Sequence, residues 1–299
     1  MYKNLNVGYL GVSGRHSEVI ELALSHGFKG MDLDIDEFAE QVEQNDVAYA
    51  KRLIASARIQ VGAFRLPFEL GDDFARRDSF DADVERAGKL AELAASVNCR
   101  AALVRIDPAS DEMPYHQNFE RARQRISALA DVLKPHGVML GLEFDAVAAS
   151  RENRAMSFLA SFDALVQLVK MCVADNVGVV ADLWQIYVGG GDLEQLGLLS
   201  PDKIAAVVLS DLPVDADLEQ IDESQRLLPG ETGCIDAVRA LTMLAEMGYE
   251  GPLVPKVSRE HLGEGGRDAL VKTVADRLSD LWKQAGLSSK GRLVSPVKS

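Results

Sequence analysis

The amino-acid sequence predicts an α/β protein, a single (β/α)8 or TIM barrel over residues 1–286. Two observations predict it: short β-rich runs alternate with longer amphipathic helical patterns, and several helices end at a glycine just before the next strand. His26-Gly27, His136-Gly137 and Met247-Gly248 are such ends, where a left-handed glycine closes a helix. Strands that alternate with helices pair in parallel, and eight such units close naturally into a barrel.

The strands are predicted from apolar runs bounded by turn or helix signals. In chain order they are Leu5–Tyr9, Gly30–Asp34, Gln60–Arg65, Ala101–Ile106, Val138–Phe144, Val177–Asp182, Ala205–Ser210 and Pro252–Val257. The predicted helices include Ser17–Ser25, Asp81–Ser96, Asn118–Lys134, Ser161–Val173, Ile235–Met247 and Arg267–Ala285. A doubly wound open sheet is the alternative, but neither a GxGxxG nor a P-loop motif supports it. Residues 287–299 are predicted to form a polar tail.

Composition and charge exclude several classes of function. The chain has 299 residues, of which 47% are hydrophobic and 26% charged, as in a soluble globular protein with a large core. Its formal net charge of −14 disfavours nucleic acid and anionic membranes as partners. The N-terminal residues lack a secretory apolar core and no stretch is long enough to span a bilayer, so we expect a cytoplasmic protein. Three scattered cysteines without CxxC spacing predict neither a disulfide framework nor a zinc site.

Charged residues close three of the apolar strands. Glu143 ends the run Val-Met-Leu-Gly-Leu-Glu, Asp182 ends Val-Gly-Val-Val-Ala-Asp, and Lys256 ends Gly-Pro-Leu-Val-Pro-Lys. A charge at the end of a buried strand is costly unless the strand opens into a site where that charge is paired or used. The carboxyl ends of barrel strands meet at the face where barrel enzymes carry their active sites. We therefore predict one shared pocket with Glu143, Asp182 and Lys256 as its catalytic residues.

Five short motifs follow one another along nearly the whole chain. They are Gly27-Phe-Lys-Gly-Met-Asp-Leu33, Gly141-Leu-Glu143, Asn176-Val-Gly-Val-Val-Ala-Asp-Leu-Trp184, Arg226-Leu-Leu-Pro-Gly-Glu-Thr-Gly233 and Gly248-Tyr-Glu-Gly-Pro-Leu253. In order and spacing they resemble the sugar-phosphate isomerase and epimerase superfamily, the xylose-isomerase-like barrels. The resemblance implies a small-molecule sugar, polyol or phosphate of either as substrate, proton transfer next to a carbonyl, and a homodimer or homotetramer.

The resemblance also implies one divalent metal, such as Mn²⁺ or Mg²⁺, held by a Glu on strand five, an Asp on strand six, a His on strand seven and a Glu on strand eight. Glu143 and Asp182 match the first two positions. Val208 stands where the histidine is expected, and Lys256 where the second glutamate is expected. An ammonium group at that corner would neutralise both carboxylates. We therefore expect no metal ligands and no cofactor, with Lys256 paired to Glu143 and Asp182.

Five further side chains are expected to contact the substrate. Arg226 belongs to the loop after strand seven, which in the superfamily brings an arginine to the substrate. Gln185 and Trp184 follow the strand-six aspartate, and the indole of Trp184 would form an apolar wall for a sugar ring. Arg105 ends strand four and would bind a phosphate or carboxylate, and Asp211 follows strand seven.

Three functions are compatible with this pattern. The first is a sugar or sugar-phosphate isomerase or epimerase in which Glu143 or Lys256 transfers a proton and Lys256 or Arg226 stabilises an enolate oxygen. The second is a non-catalytic sugar-binding or partner-binding relative, in which the charged residues form a buried salt-bridge network. The third is a lyase or aldolase with a Schiff base on Lys256. Retention of the complete Arg226-x-x-Pro-Gly-Glu-x-Gly loop favours the first.

Overall fold

Eight parallel strands close into a barrel within residues 1–72 and 77–294, the part of the chain that the computed structural model describes. The strands are β1 Tyr2–Leu5, β2 Gly30–Leu33, β3 Gln60–Arg65, β4 Ala101–Arg105, β5 Met139–Glu143, β6 Val177–Asp182, β7 Ile204–Leu209 and β8 Pro252–Pro255. Each strand pairs with its neighbours in sequence, and β1 closes the barrel on β8 through Tyr2 and Pro252. The predicted TIM barrel is confirmed.

Helices follow or connect these strands. In the described residues they are α1 His16–Ser25, α2 Ile35–Gln44, α3 Val47–Ala57, α4 Arg77–Ala95, α5 Tyr115–Leu133, α6 Phe162–Met171, α7 Leu183–Val188, α8 Ala237–Glu246, α9 Arg259–Leu262 and α10 Arg267–Gln284. Shorter 3-10 turns lie at Gly8–Leu10, Lys134–His136, Ala148–Arg151, Leu193–Leu198, Pro201–Lys203 and Glu223–Gln225. Outside the barrel, Ala109–Ser110 and Met156–Ser157 form a short antiparallel pair.

The first strand begins earlier than the sequence predicts. It spans Tyr2–Leu5 rather than Leu5–Tyr9, and Gly8–Leu10 is a 3-10 turn. The reason is a buried polar residue: Asn4 is fully enclosed and its Nδ2 donates to Oδ1 of Asp32 at 2.7 Å. Because Asn4 carries an amide where a barrel strand usually has an apolar side chain, residues 2–5 do not form an apolar run, and the pattern does not indicate a strand there.

Two helices after β2 are not among those located from the sequence. Asp34 caps α2 by accepting a hydrogen bond from the backbone N–H of Glu37 at 3.0 Å, and Asp46 caps α3 by accepting from that of Tyr49 at 2.6 Å. The capping aspartates Asp34 and Asp46 are the sequence signal that marks the starts of these helices.

Alternation along the strands directs the charged strand ends inward. Leu103, Val180 and Val208 belong to a small apolar cluster inside the barrel, separate from the larger core between sheet and helices. Successive side chains of a strand point to opposite faces, so Arg105 and Asp182, two residues beyond Leu103 and Val180, face the interior as well. Arg105 and Asp182 therefore lie at the carboxyl end of the barrel, beyond the apolar cluster that fills its interior.

Part of the predicted polar tail packs against the barrel. Leu287 is buried and bridges to Leu293, and the indole Nε1 of Trp282 donates to the backbone oxygen of Ser288 at 3.1 Å. Residues 295–299 of the predicted tail lie outside the described residues. Among the helices of the described chain, none is both long and apolar enough to cross a membrane.

Candidate active site

A cavity of about 230 Å³ opens at the carboxyl end of the barrel strands. Apart from the apolar Phe144 and Val180, its lining is polar or charged, and consists of Tyr9, Arg65, Glu69, Arg105, Glu143, Asp182, Gln185, Glu223 and Lys256. The three residues predicted to be catalytic therefore do share a pocket. Two of the five predicted substrate residues, Gln185 and Arg105, line it too.

Glu143 is paired with an arginine from β3. Nη1 of Arg65 lies 2.6 Å from Oε2 of Glu143, and Nη2 lies 2.8 Å from Oε1. The hydroxyl of Tyr9 donates to Oε1 at 3.4 Å and accepts from Arg65 at 3.2 Å. Burial alone would lower the pKa of Arg65, but the charges and hydrogen bonds of Glu143 and Tyr9 together outweigh burial and raise that pKa. Burial, reinforced by Glu143, raises the pKa of Tyr9, so the phenol stays protonated.

Asp182 is paired with Arg226 rather than with a lysine. The guanidinium of Arg226 donates to Oδ1 of Asp182 at 3.0 Å and to Oδ2 at 2.7 Å, to Oγ of Ser210 at 3.0 Å, and to the two carboxylate oxygens of Glu223 at 2.6 and 3.0 Å. These bonds use every N–H that a guanidinium carries. Burial alone would lower the pKa of Arg226, whereas Asp182 and Glu223 raise it.

Arg226 and Trp184 lie beneath the cavity and do not line it. The side chain of Arg226 is 1% exposed, and its Cζ lies 4.3 Å from the centre of the indole ring of Trp184, which is itself fully buried. Neither side chain reaches the cavity in this structure, and a contact of either with the substrate stays a prediction. Their stacking places a cation on an aromatic face and fixes the guanidinium under Asp182.

Lys256 pairs with an acid that the sequence did not single out. Its Nζ lies 2.7 Å from Oε2 of Glu223 and 5.1 Å from the centre of the Tyr9 ring. The expected pairing of Lys256 with Glu143 and Asp182 is wrong, because arginines already hold both of those carboxylates.

Glu223 belongs to the 3-10 turn Glu223–Gln225 in the loop after β7, and this loop brings it over the cavity. Burial alone would raise the pKa of Glu223, but the charges of Arg226 and Lys256 and their hydrogen bonds lower it to about 2. At neutral pH Glu223 is therefore an anion that two cations share, and it cannot serve as a proton donor.

Gln185 and Arg105 are held at the cavity wall. Gln185 accepts from the backbone N–H of Ala146 at 2.7 Å and donates to Oε1 of Glu223 at 3.0 Å. Arg105 forms an ion pair with Asp145, which is buried. Among the described residues only Nη2 of Arg105 is used in that pair, and the other N–H groups of this guanidinium can contact a ligand.

Asp211 does not reach the cavity. It is fully buried, and its carboxylate accepts from the backbone N–H groups of Thr232 at 2.9 Å, Gly233 at 2.8 Å and Ile235 at 3.0 Å. Its backbone also pairs with that of Leu227. In this structure Asp211 anchors the loop that carries Arg226, and its substrate role stays a prediction.

The donors in this cavity do not fit the four-ligand metal site of the superfamily. Both oxygens of Glu143 and both of Asp182 already accept hydrogen bonds from arginines, and an ammonium group stands at the strand-eight position. Val208, at the strand-seven position, packs inside the apolar barrel. Among the described residues, no group of three or more His, Cys, Asp or Glu is arranged to hold a metal ion.

Residues 20–281 match the family model of the xylose isomerase-like TIM barrel. This chain belongs to that family. An inosose isomerase of Halalkalibacterium halodurans is 24% identical over 151 residues, which cover 50% of this chain and 50% of that protein. The chain thus matches over about half the length of this curated relative.

Two solved structures share the fold of this chain. A xylose isomerase domain protein from Alicyclobacillus acidocaldarius subsp. acidocaldarius superposes with a TM-score of 0.82 at 24% identity, covering 95% of this chain and 98% of its own. The IOLI protein, solved with a bound zinc atom, superposes with a TM-score of 0.79 at 17% identity, covering 96% and 98%.

Four polar or charged lining residues are not among the predicted catalytic and substrate-contacting residues: Tyr9, Arg65, Glu69 and Glu223. Arg65 had a usable signal, because it ends β3 as Arg105 ends β4, and inward strand ends meet at one face. Glu223 lies three residues before Arg226 in a loop, a spacing that does not by itself point to a site.

Proposed function

We propose that this protein is an isomerase-type enzyme that acts on a sugar or polyol by moving a proton next to a carbonyl group, and that it does so without a divalent metal. The observation that carries the proposal is the joint position of Glu143 and Lys256 around Tyr9. The hydroxyl of Tyr9 donates a hydrogen bond to the carboxylate of Glu143, and the ammonium of Lys256 lies over the ring of Tyr9. Membership of the xylose isomerase-like family and the partial similarity to inosose isomerase support this reading.

The size and polarity of the cavity suit a small hydroxylated substrate. Its volume of about 230 Å³ lies below the ~300–1,000 Å³ typical of pockets for drug-sized ligands. A monosaccharide or a cyclic polyol therefore matches it better than an oligosaccharide. Arginine, lysine and carboxylate groups along the wall supply donors and acceptors for several hydroxyl groups.

Glu143 is the proposed base. Its side chain is 14% exposed and Arg65 holds it in place, so that the carboxylate faces the cavity in one orientation. A carboxylate positioned next to the α-carbon, the carbon adjacent to the carbonyl, would remove its proton to give an enediolate. Isomerisation is complete when that proton is delivered to the former carbonyl carbon and the hydroxyl proton moves from the α-carbon oxygen to the former carbonyl oxygen. Tyr9 stays protonated and serves as a hydrogen-bond donor at the same end of the cavity.

Lys256 is the proposed electrostatic group. Its side chain is 27% exposed, and the ion pair with Glu223 leaves N–H groups free to contact a substrate oxygen. A fixed cation next to the oxygen on which negative charge develops stabilises an enolate strongly in a site of low dielectric. In this proposal Lys256 supplies the positive charge that a metal supplies in other members of the superfamily, and Glu223 orients it.

One observation favours the second function, a binding protein without turnover. Asp182, Arg226 and Glu223 saturate one another with hydrogen bonds, as a purely structural network would. The third function, a Schiff base on Lys256, is disfavoured because Nζ lies 2.7 Å from Oε2 of Glu223 and would have to leave this partner to attack a carbonyl carbon.

Proton exchange with solvent tests the proposal directly. The protein, treated with a chelator, would be incubated in D₂O with a panel of inososes, ketoses and aldoses, and NMR would follow deuterium entry next to the carbonyl. We expect exchange with at least one member of the panel, reduced about 10²-fold or more in Glu143→Gln and in Lys256→Met. Lys272→Met, which removes an exposed lysine paired with Asp276 on α10, is the matched control and should keep full activity.

The possible outcomes separate the functions. Binding without exchange for every compound would favour the non-catalytic relative. Exchange that appears only after Mn²⁺ or Mg²⁺ is added would reject the metal-free mechanism. A substrate adduct on Lys256 trapped with borohydride would support the Schiff-base enzyme instead.

A further inference from the structure

The cations around the cavity are balanced by carboxylates. Each of them has an acidic partner: Arg65 pairs with Glu143, Arg105 with Asp145, Arg226 with Asp182 and Glu223, and Lys256 with Glu223. The positive charge of the site is therefore already compensated before any substrate enters. An anionic substrate would have to compete with these partners for its counter-ions.

Glu69 differs from the other charged residues that line this cavity. Within the described residues, its carboxylate takes part in no ion pair and no hydrogen bond, although it lies on the cavity wall beside Arg105. The backbone next to it is fixed: the N–H of Leu70 donates to the oxygen of Arg105 at 2.8 Å, and the N–H of Asp107 donates to the oxygen of Leu70 at 2.9 Å. The loop after β3 thus holds an uncompensated negative charge at the mouth of the site.

We infer that Glu69 determines substrate specificity, by accepting hydrogen bonds from substrate hydroxyl groups and by repelling phosphorylated substrates. The inference rests on the proposed function and deepens it, because it selects the uncharged sugar or polyol from the wider class. A free carboxylate has two oxygens that suit neighbouring hydroxyl groups of a polyol. The same charge destabilises a phosphate, which carries close to two negative charges at neutral pH.

The free donors of the wall agree with an uncharged substrate. The unused N–H groups of Arg105 and of Lys256 can each donate to a hydroxyl or carbonyl oxygen without giving up their carboxylate partners. Together with the acceptor oxygens of Glu69 they provide both kinds of hydrogen-bonding group that a polyol requires. A phosphate would need the donors and would gain nothing from Glu69.

Binding measurements test the inference separately from turnover. Calorimetry at low ionic strength would give the Kd of an inosose, a ketohexose and an aldopentose, each compared with its monophosphate. We expect at least one uncharged compound to bind about tenfold or more tightly than its phosphate, a difference of roughly 1.4 kcal/mol. Added salt should reduce this preference, because an exposed charge is screened.

Two variants of Glu69 and one control complete the design. Glu69→Gln should weaken binding of the uncharged compound and shrink its preference over the phosphate to about threefold or less, and Glu69→Lys should reverse the preference. Glu246→Gln removes an exposed glutamate at the end of α8, which makes no ion pair within the described residues, and should leave both Kd values unchanged. Thermal unfolding would verify that the exposed substitutions keep the fold.

Several results would overturn the inference. They are equal or tighter binding of the phosphates, binding of no uncharged compound, and a preference that Glu69→Gln changes no more than Glu246→Gln does. The proposed function is judged on other data, namely deuterium exchange in the wild-type protein. If the enzyme exchanges protons equally well in sugars and in their phosphates, the proposed function stands, but the inference that Glu69 determines specificity is rejected.

Discussion

Nη2 of Arg226 lies 2.7 Å from Oδ2 of Asp182, and Nη1 lies 3.0 Å from Oδ1, so that one guanidinium holds both oxygens of the strand-six carboxylate. An arginine keeps its charge throughout the accessible pH range. The superfamily pattern assigns Asp182 to a metal. In this chain the guanidinium of Arg226 compensates the negative charge of Asp182 instead. The charge balance under the cavity depends on this one buried side chain.

Removal of Arg226 should destabilise the protein strongly. Arg226→Met would leave Asp182 and Glu223 without their shared cation, and the loss of one partner from a buried ion pair costs about 3–5 kcal/mol. Urea unfolding would measure the change in the free energy of unfolding. In the double variant with Asp182→Asn, part of the loss should be recovered, because one uncompensated charge is removed with its partner.

Arg86→Met provides the matched comparison. Arg86 pairs with Asp36 at 3.2 Å, but both side chains are more than half exposed, and such pairs contribute about 0–1 kcal/mol. If Arg226→Met lost no more stability than Arg86→Met, the guanidinium would not hold the floor of the cavity together.

The stability contributed by Glu223 should depend on pH. The pKa of Glu223 is lowered from its ordinary 4.5 to about 2, so folding favours its charged form. The contribution is complete above pH 4.5 and is lost as the pH falls towards 2. The difference in unfolding free energy between the wild type and Glu223→Gln should therefore be largest near neutral pH and shrink on acidification, to an extent limited by the exposure of the side chain.

Urea unfolding at a series of pH values would measure this difference. Glu246→Gln serves again as the control, and its difference from the wild type should stay nearly constant over the same range. Parallel stability curves for the wild type and Glu223→Gln down to pH 2 would show that Arg226 and Lys256 do not hold Glu223 in its charged form.

Asp211 should prove essential for the loop that carries Arg226. Asp211→Ala would leave the buried N–H groups of Leu212 and Ile235, and the more exposed ones of Thr232 and Gly233, without their acceptor. Each unsatisfied buried group costs about 1–3 kcal/mol. We expect a loss of several kcal/mol in urea unfolding, with faster hydrogen exchange of these amides. Asp211→Asn should lose less, because its side-chain oxygen still accepts.

A direct substrate role for Asp211 makes a different prediction. In that case Asp211→Asn would reduce activity while the protection of the loop amides stayed at the wild-type level. From the structure we expect the reverse: Asp211→Asn should reduce the protection of the loop amides, and any loss of activity should follow from that.

Much of the fold could be predicted from the sequence because its signals are local. Left-handed Gly27, Gly137 and Gly248 each end a helical segment before a strand, and the apolar runs located the barrel strands after the first. The first strand was misplaced because its inward residue, Asn4, is satisfied by a hydrogen bond to Asp32 in β2, a contact that sequence alone does not show.

The site was predictable in position but not in pairing. Period-two alternation determines the direction and height of a strand-end side chain, so Glu143, Asp182 and Lys256 were brought to one cavity. Their partners depend on long side chains and on a loop. The guanidinium of Arg226 lies beneath the cavity because it stacks on Trp184 and pairs with the carboxylates of Asp182 and Glu223. None of these contacts follows from spacing along the chain.

Removal of divalent ions should affect neither stability nor activity. Both candidate ligands, Glu143 and Asp182, are paired with arginines, and Lys256 would repel a cation at the remaining corner. After dialysis against EDTA we expect an unchanged Tm and unchanged deuterium exchange with the best substrate, and no gain in exchange rate when Mn²⁺ or Mg²⁺ is restored.

Elemental analysis of the untreated protein should find no stoichiometric ion. A bound ion that disappears in Glu143→Gln, together with activity that depends on it, would instead assign Glu143 and Asp182 to a metal and require Arg65 and Arg226 to move away from them.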